Sequence, residues 1–425
     1  MNRIRRELDV FRLCPRSMRV LMLSNMIYAL LLPILEVFVA AYVMRNSRDV
    51  GQVVTYQLAV YTATPIAFFV NGLLLGRVPA KHLYAAGMVL SGLAMVSLMR
   101  TVTLTSTGIA IAGLIMGLAT GLFWANRGFL ALATTQDSNR NYYYGFELFV
   151  AMLASVLVPA LIGWFLSGPS LYGWPGGQFQ RAYQLIAVAF LILTAAAAVL
   201  LEQGSFASPA RTRFLFARFH PLWHSMQRLS LLKGLAQGYM LTAPAMLILL
   251  LVGQEGTLGL TQSIGGILAA AILYTVGRAT SPRHRQLVFA VALSLFFLGS
   301  VANALLFNTA GVLIFLASLL LAKPLLDLSY NPIEMRVIDA VSSLEQRSQY
   351  AYLFNHDLAL FTGRALGCLL FLAIARWGSG MAALRYAMPV VALLQMLSIA
   401  VARHISRQLD QPEFLHQDSA APAAC

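Results

Sequence analysis

Clusters of Gly, Pro, Arg and Gln cut the chain into about twelve apolar runs, each near the ~20 residues that a helix needs to cross the ~30 Å hydrocarbon core of a bilayer. The spans fall at roughly 20–44, 51–76, 82–100, 107–130, 143–167, 182–201, 230–252, 256–277, 286–306, 310–332, 350–376 and 383–403. Of the 425 residues, 59% are hydrophobic and 11% charged, which excludes an ordinary soluble domain and predicts an all-α polytopic membrane protein. Met1 to Arg19 is basic and polar, and the first apolar run is of full spanning length, so no cleaved leader is expected.

Basic residues set the expected orientation. Arg3, Arg5, Arg6, Arg12, Arg16 and Arg19 precede the first span, and Arg77 and Lys81 follow the second. Arg211, Arg213 and Arg218 follow the sixth, Arg278, Arg283 and Arg285 the eighth, and Arg403 and Arg407 the last. With an even number of spans these segments share one side, and by the positive-inside rule both termini are cytoplasmic. The net charge of +14 is spread over loops facing one leaflet, without a nucleic-acid-binding motif, so anionic lipid rather than nucleic acid is the expected partner. Cys14, Cys368 and Cys425 have neither metal nor disulfide spacing, and no metal or other cofactor is expected. Trp164, Tyr172, Trp174 and Trp377 read as interfacial belt residues.

The apolar runs hold Glu36, Glu147, Lys323, Asp327, Asp357 and Arg364. A charge in hydrocarbon costs at least ~2.5–3.5 kcal/mol at a helix centre, so these residues must face a bundle interior, a partner or water. Glu36 lies three residues after Pro33 with no basic residue at similar depth in its half. It is read as a proton or substrate carrier, or as a structural Glu hydrogen-bonded to Asn25 or Tyr28. Lys323 and Asp327 share a face of the tenth span, and Asp357 and Arg364 a face of the eleventh. The two helices run antiparallel, which predicts a neutral quartet that is either a structural lock or a substrate-responsive group. Asn126 and Arg127, with Trp124, end the fourth span opposite Arg140 and Glu147, as a clamp between helices four and five or as substrate contacts. Gln237, Tyr239 and Asn331 are further polar candidates. Gly113, Gly117 and Gly121 recur every four residues, a spacing for close helix packing, and Pro159, Gly163, Gly363 and Gly367 are expected to pack or bend helices where two halves meet.

The polar stretch 202–228 separates a six-helix bundle at 1–201 from a second at 229–405, with 406–425 as a cytoplasmic tail. Gly76-Arg77 recurs as Gly277-Arg278, Asn126 as Asn331, and Glu147 as Asp357, a weak parallel repeat of the kind found in secondary transporters. The segment Gly72-Leu73-Leu74-Leu75-Gly76-Arg77-Val78-Pro79-Ala80-Lys81 resembles the loop between helices two and three of the major facilitator superfamily, with Gly76 where that family has Asp and Pro79 where it has a second Gly. The runs Gly121 to Arg127, Asn355-His356-Asp357 and Gly363-Arg364 are similar to those of bacterial permeases of that superfamily.

The resemblance implies a cavity between the halves lined by helices one, four, seven and ten, and a gating or structural role for Gly72, Arg77 and Lys81, while Arg140 and Glu147 are read as structural from the clamp and Arg278 from the repeat of Arg77. It also implies a monomeric inner-membrane transporter of a small solute, coupled to protons, with export suggested by the lone carboxylate in helix one. A polytopic transferase is the rival, but His356 is the one histidine of the seven within the interior of a span, and neither HExxH nor a Walker A motif is present. A sensor or assembly factor that keeps the fold is the third reading.

Overall fold

A computed structural model describes residues 11–100, 105–135, 137–171, 178–206, 215–216, 218–253, 255–279, 284–347 and 349–410. Arg3, Arg5, Arg6, Tyr172, Trp174, Arg211, Arg213, Arg283 and Cys425, and the side chains of Arg140 and Arg278, lie outside the described residues. The described chain contains twelve long helices. The first six are α1 (Arg16–Ser47), α2 (Val50–Leu74), α3 (Ala80–Arg100), α4 (Ser106–Thr134), α5 (Asp137–Leu171) and α6 (Gln178–Glu202). They are followed by α7 (Pro221–Leu251), α8 (Glu255–Ala279), α9 (Arg285–Leu306), α10 (Thr309–Leu344), α11 (Gln349–Trp377) and α12 (Gly380–Leu409). Eleven are long and apolar enough to cross a membrane, and α8 carries a shorter apolar run, Gly256–Ile272.

Local chemistry sets the helix starts. Asp49, Thr105, Asn308 and Ser379 are N-caps whose side-chain oxygens accept from the backbone N–H of Gly51, Gly108, Gly311 and Ala382 at 2.8–3.1 Å. α7 begins at Pro221, inside the stretch read as linker, because Pro needs no N–H partner at a helix start and buried Leu222 and Trp223 anchor the turn. α10 runs on to Leu344, past the expected end of its span. Within α1, Pro33 is followed by a wide π-helical turn, Ile34–Phe38, which contains Glu36.

The chain forms two compact units, one of Met1–Arg211 with Ile248–Gly266 and the other of Thr212–Leu247 with Ile267–Cys425. In the first, α4 lies against α2 along Gly113, Gly117 and Gly121, where an added Cβ would collide with the carbonyls of Tyr56, Val60 and Thr64. Pro159 and Gly163 of α5 meet Gly259 of α8, whose own Cβ would strike the Pro159 carbonyl. In the second unit, Gly234 and Gly238 of α7 interleave with Gly363 and Gly367 of α11, and each would meet the other helix's backbone if it carried a Cβ. Gly363 and Gly367 therefore pack against α7 inside one unit. The reason is that α7 and α11 both present small residues at four-residue spacing.

These seams give a direct test. Gly117→Ala should destabilise the protein by about 1–3 kcal/mol, because the obstacle is backbone and cannot rotate away. Gly128→Ala on the same helix, with nothing within 4 Å of its added Cβ, should be neutral or better. Thermal unfolding in detergent reads both, and equal effects would dismiss the seam.

Candidate functional site

In the first unit the polar centre is Glu147, a buried carboxylate one turn after Tyr143 on α5. Arg127 of α4 donates from Nη2 to its Oε2 at 2.8 Å, and Tyr143 donates its hydroxyl to Oε1 at 2.9 Å. Asn25 of α1 donates its amide to the same Oε1, and its own Oδ1 accepts from the Tyr84 hydroxyl of α3 at 2.7 Å. α1, α4 and α5 thus meet at one carboxylate, Arg127 of α4 pairing with Glu147 of α5, and α3 joins one step away through Tyr84 and Asn25. Asn126 instead donates to Asn71 Oδ1 at 2.6 Å, tying α4 to α2. Beside this centre lies a cavity of about 110 Å³ walled by Tyr28, Phe123, Trp124, Phe146 and Arg127.

Glu36 is exposed, and among the described residues no hydrogen bond or ion pair reaches it. The structural alternative for it is corrected: Asn25 is committed to Glu147, and Tyr28 donates to Ser91 Oγ at 3.4 Å. Arg77 is exposed in the turn after α2, and Gly72 lies in the last turns of α2. Lys81 Nζ pairs with Glu202 at 2.8 Å and His82 Nδ1 with the same carboxylate at 2.7 Å, joining α3 to α6.

In the second unit the contacts among the described residues pair these groups differently from the expected quartet. Asp327 pairs with Lys233 of α7 at 3.3 Å, and Arg364 donates from Nε and Nη2 to Gln237 Oε1 at 3.1 and 2.7 Å. The partners come from α7 in both cases, because α11 runs along α7 through the glycine seam and carries Arg364 to Gln237. Lys323 is exposed and lines a cavity of about 20 Å³ with Lys233, Gln237 and Asp327, room for about one water. Asn331 is exposed on α10, whereas Tyr239 is buried 5.0 Å from Phe371, and its hydroxyl meets no partner among the described residues.

Asp357 joins a second chain of groups. His356, buried on α11, places Nδ1 3.3 Å from Asp357 Oδ1 and 3.4 Å from Glu334 Oε1, and its Nε2 lies 2.7 Å from the Tyr330 hydroxyl. Nδ1 thus faces two carboxylates and is placed to donate, and Nε2 lies within hydrogen-bond reach of the Tyr330 hydroxyl. The Tyr330 hydroxyl is also 3.0 Å from Ser230 Oγ, and Lys233 Nζ sits 3.7 Å from the centre of the Tyr330 ring. The network runs Lys233, Tyr330, His356, Glu334 across α7, α10 and α11. The sequence reading missed Lys233, Tyr330 and Glu334 here, and Tyr84 and Tyr143 in the first unit. Lys233 stood inside the seventh span and was readable by the same charge criterion as Lys323. Glu334 lay two residues beyond the span assigned to helix ten.

Comparison with known proteins bears on the fold. No protein-family profile matches the sequence. The chain is 20% identical over 360 residues to the uncharacterized protein YqgE of Bacillus subtilis (strain 168), covering 82% of this chain and 80% of that protein. It is 25% identical over 189 residues to an uncharacterized protein in the sodM 3′ region of Geobacillus stearothermophilus, covering 44% of this chain and 86% of that protein.

Among solved structures, the nucleoside transporter NupG superposes with a TM-score of 0.68 at 12% identity, covering 92% of this chain and 100% of that one. A bacterial homologue of the human drug peptide transporters PepT1 and PepT2 gives 0.67 at 12% identity, covering 93% and 98%. A POT family transporter in complex with a thioalcohol conjugated peptide gives 0.66 at 11% identity, covering 92% and 97%. Among the described residues the chain is an all-helical multi-pass membrane protein, and its fold is that of these three transporter structures.

Proposed function

We propose that this protein is a secondary active transporter that moves a small solute across the bacterial inner membrane by alternating access, coupled to protons and working as an exporter. The observation that carries the reading is the set of charges inside each helical unit of a chain with this fold: Arg127 with Glu147 in one, and Lys233, Asp327, Glu334, His356 and Asp357 in the other. Charges at such depth are costly and belong to ion or solute pathways. Glu36, in the wide turn of α1, is the carboxylate that takes the coupled proton; Asp327 and Asp357 are the next candidates. Arg364, Lys323, Gln237 and Asn331 contribute to solute contact, and the protein acts as a monomer with both termini in the cytoplasm.

The test begins by comparing metabolites in deletion and overexpression strains, then measures flux of the compound that changes in proteoliposomes with and without a proton gradient. Gradient-dependent accumulation is expected, and flux indifferent to the gradient would remove proton coupling. For orientation, a reporter fused after Arg407 should be active only in the cytoplasm, as the basic loops require. Periplasmic activity would reverse the topology.

A further inference from the structure

We propose that the cavity of the first unit at Trp124 and Arg127 binds an aromatic organic anion: one planar ring carrying one carboxylate or similar oxyanion. The proposal rests on the transport reading and names the class of its solute.

The walls favour a ring. Phe123 stacks on Tyr28 at 4.0 Å and on Tyr84 at 4.8 Å between centroids, and Trp124 stands edge-on to Phe123 at 5.2 Å. Trp124 keeps 42% of its surface exposed. The volume of about 110 Å³ is of the order of the ~150 Å³ apolar cavity known to admit benzene.

The polar groups select the charge. Asn25 spends its amide on Glu147 and Tyr143 and its carbonyl oxygen on Tyr84. Glu147 has Oε1 covered by Asn25 and Tyr143 and Oε2 by Arg127. Arg127, 36% exposed at its side chain, uses one of its five N–H donors on Glu147 among the described contacts, and its guanidinium lies 5.1 Å from the Trp124 ring. The cavity therefore offers the exposed Trp124 ring, fixed edge-on to the buried Phe123 stack, and one cationic fork. A sugar would need several polar partners that are already taken, and a cation would meet a carboxylate with both oxygens occupied. An anion finds unused donors, and if Arg127 turns to it, Asn25 and Tyr143 still hold Glu147.

Calorimetric titration of the full chain in detergent, with no gradient, uses benzoate as probe beside benzyl alcohol, which lacks the charge, and cyclohexanecarboxylate, which lacks the aromatic ring. Benzoate should bind saturably and at least ~tenfold more tightly than either, the scale of a charged hydrogen bond. Arg127→Gln and Trp124→Ala should each weaken benzoate at least ~tenfold, with Arg127→Lys between wild type and Gln. Trp124 is half-exposed, so Trp124→Ala and the probe comparison decide the matter even if Arg127→Gln fails to fold. Absence of saturable benzoate binding, equal binding of either control, or benzoate binding unchanged in Trp124→Ala overturns the site. Benzoate binding to a protein that shows no gradient-driven flux leaves the site and removes the transport reading. Uphill flux of a solute that saturating benzoate does not affect leaves transport and removes the site.

Discussion

Glu147→Ala should lower stability by about 3 kcal/mol or more, measured by thermal or denaturant unfolding in detergent, because three donors from three residues lose one buried acceptor. The contrast with Arg127→Gln is the sharper part. Removing Arg127 leaves the carboxylate still bonded to Asn25 and Tyr143, and the lost partner was 36% exposed, so the cost should be smaller, about 1 kcal/mol. In the Glu147→Gln, Arg127→Gln double variant, part of the loss from Glu147→Gln alone should return, since no unpaired guanidinium is then left beside a neutral amide. Equal single losses with no recovery would mean that the meeting of α1, α4 and α5 at Glu147 does not carry the energy assigned to it.

Glu36→Gln should abolish uphill transport while the protein still folds. The side chain makes no described hydrogen bond or ion pair, so the substitution takes no packing partner away, yet an amide cannot release a proton during a cycle. Proton-gradient-driven flux in proteoliposomes should fall to background, and solute exchange without a gradient should persist. Full uphill transport by Glu36→Gln would clear Glu36 of the role and direct the same experiment to Asp327 and Asp357.

Much of the fold was legible because apolar run length and breaker residues are local signals. The helix starts at Val50, Ser106, Thr309 and Gly380 each follow a capping residue readable in place. Of the charges read as embedded, Glu147 is buried and held by Arg127, whereas Glu36 and Lys323 are exposed. Partners were less legible, since pairing depends on which helices lie side by side. The quartet assumed that α10 and α11 answer each other, but the small residues of α7 bring α11 onto α7, and Lys233 takes Asp327. Glu334 escaped because α10 outruns its apolar stretch, so a hydropathy boundary cut away part of the polar network. Tyr330 and Tyr84 escaped for another reason: a buried tyrosine looks apolar in a pattern until its hydroxyl partner is known.

The π-helical turn of α1 and the interruption of α7 between Met240 and Ala243 bear on how such a chain can flex. Along α2 with α4, and α7 with α11, backbones approach through glycines, and relative sliding would bring side-chain-bearing positions against the facing carbonyls. Those pairs behave as stiff struts. Bending costs least where the hydrogen-bond ladder is already irregular, after Pro33 and at Leu241–Thr242, so these are the joints of the molecule. Glu36 sits on the first joint. A carboxylate placed on a hinge rather than on a strut feels its surroundings change whenever the hinge does, which turns a local bend into a change in the hydration of one charge.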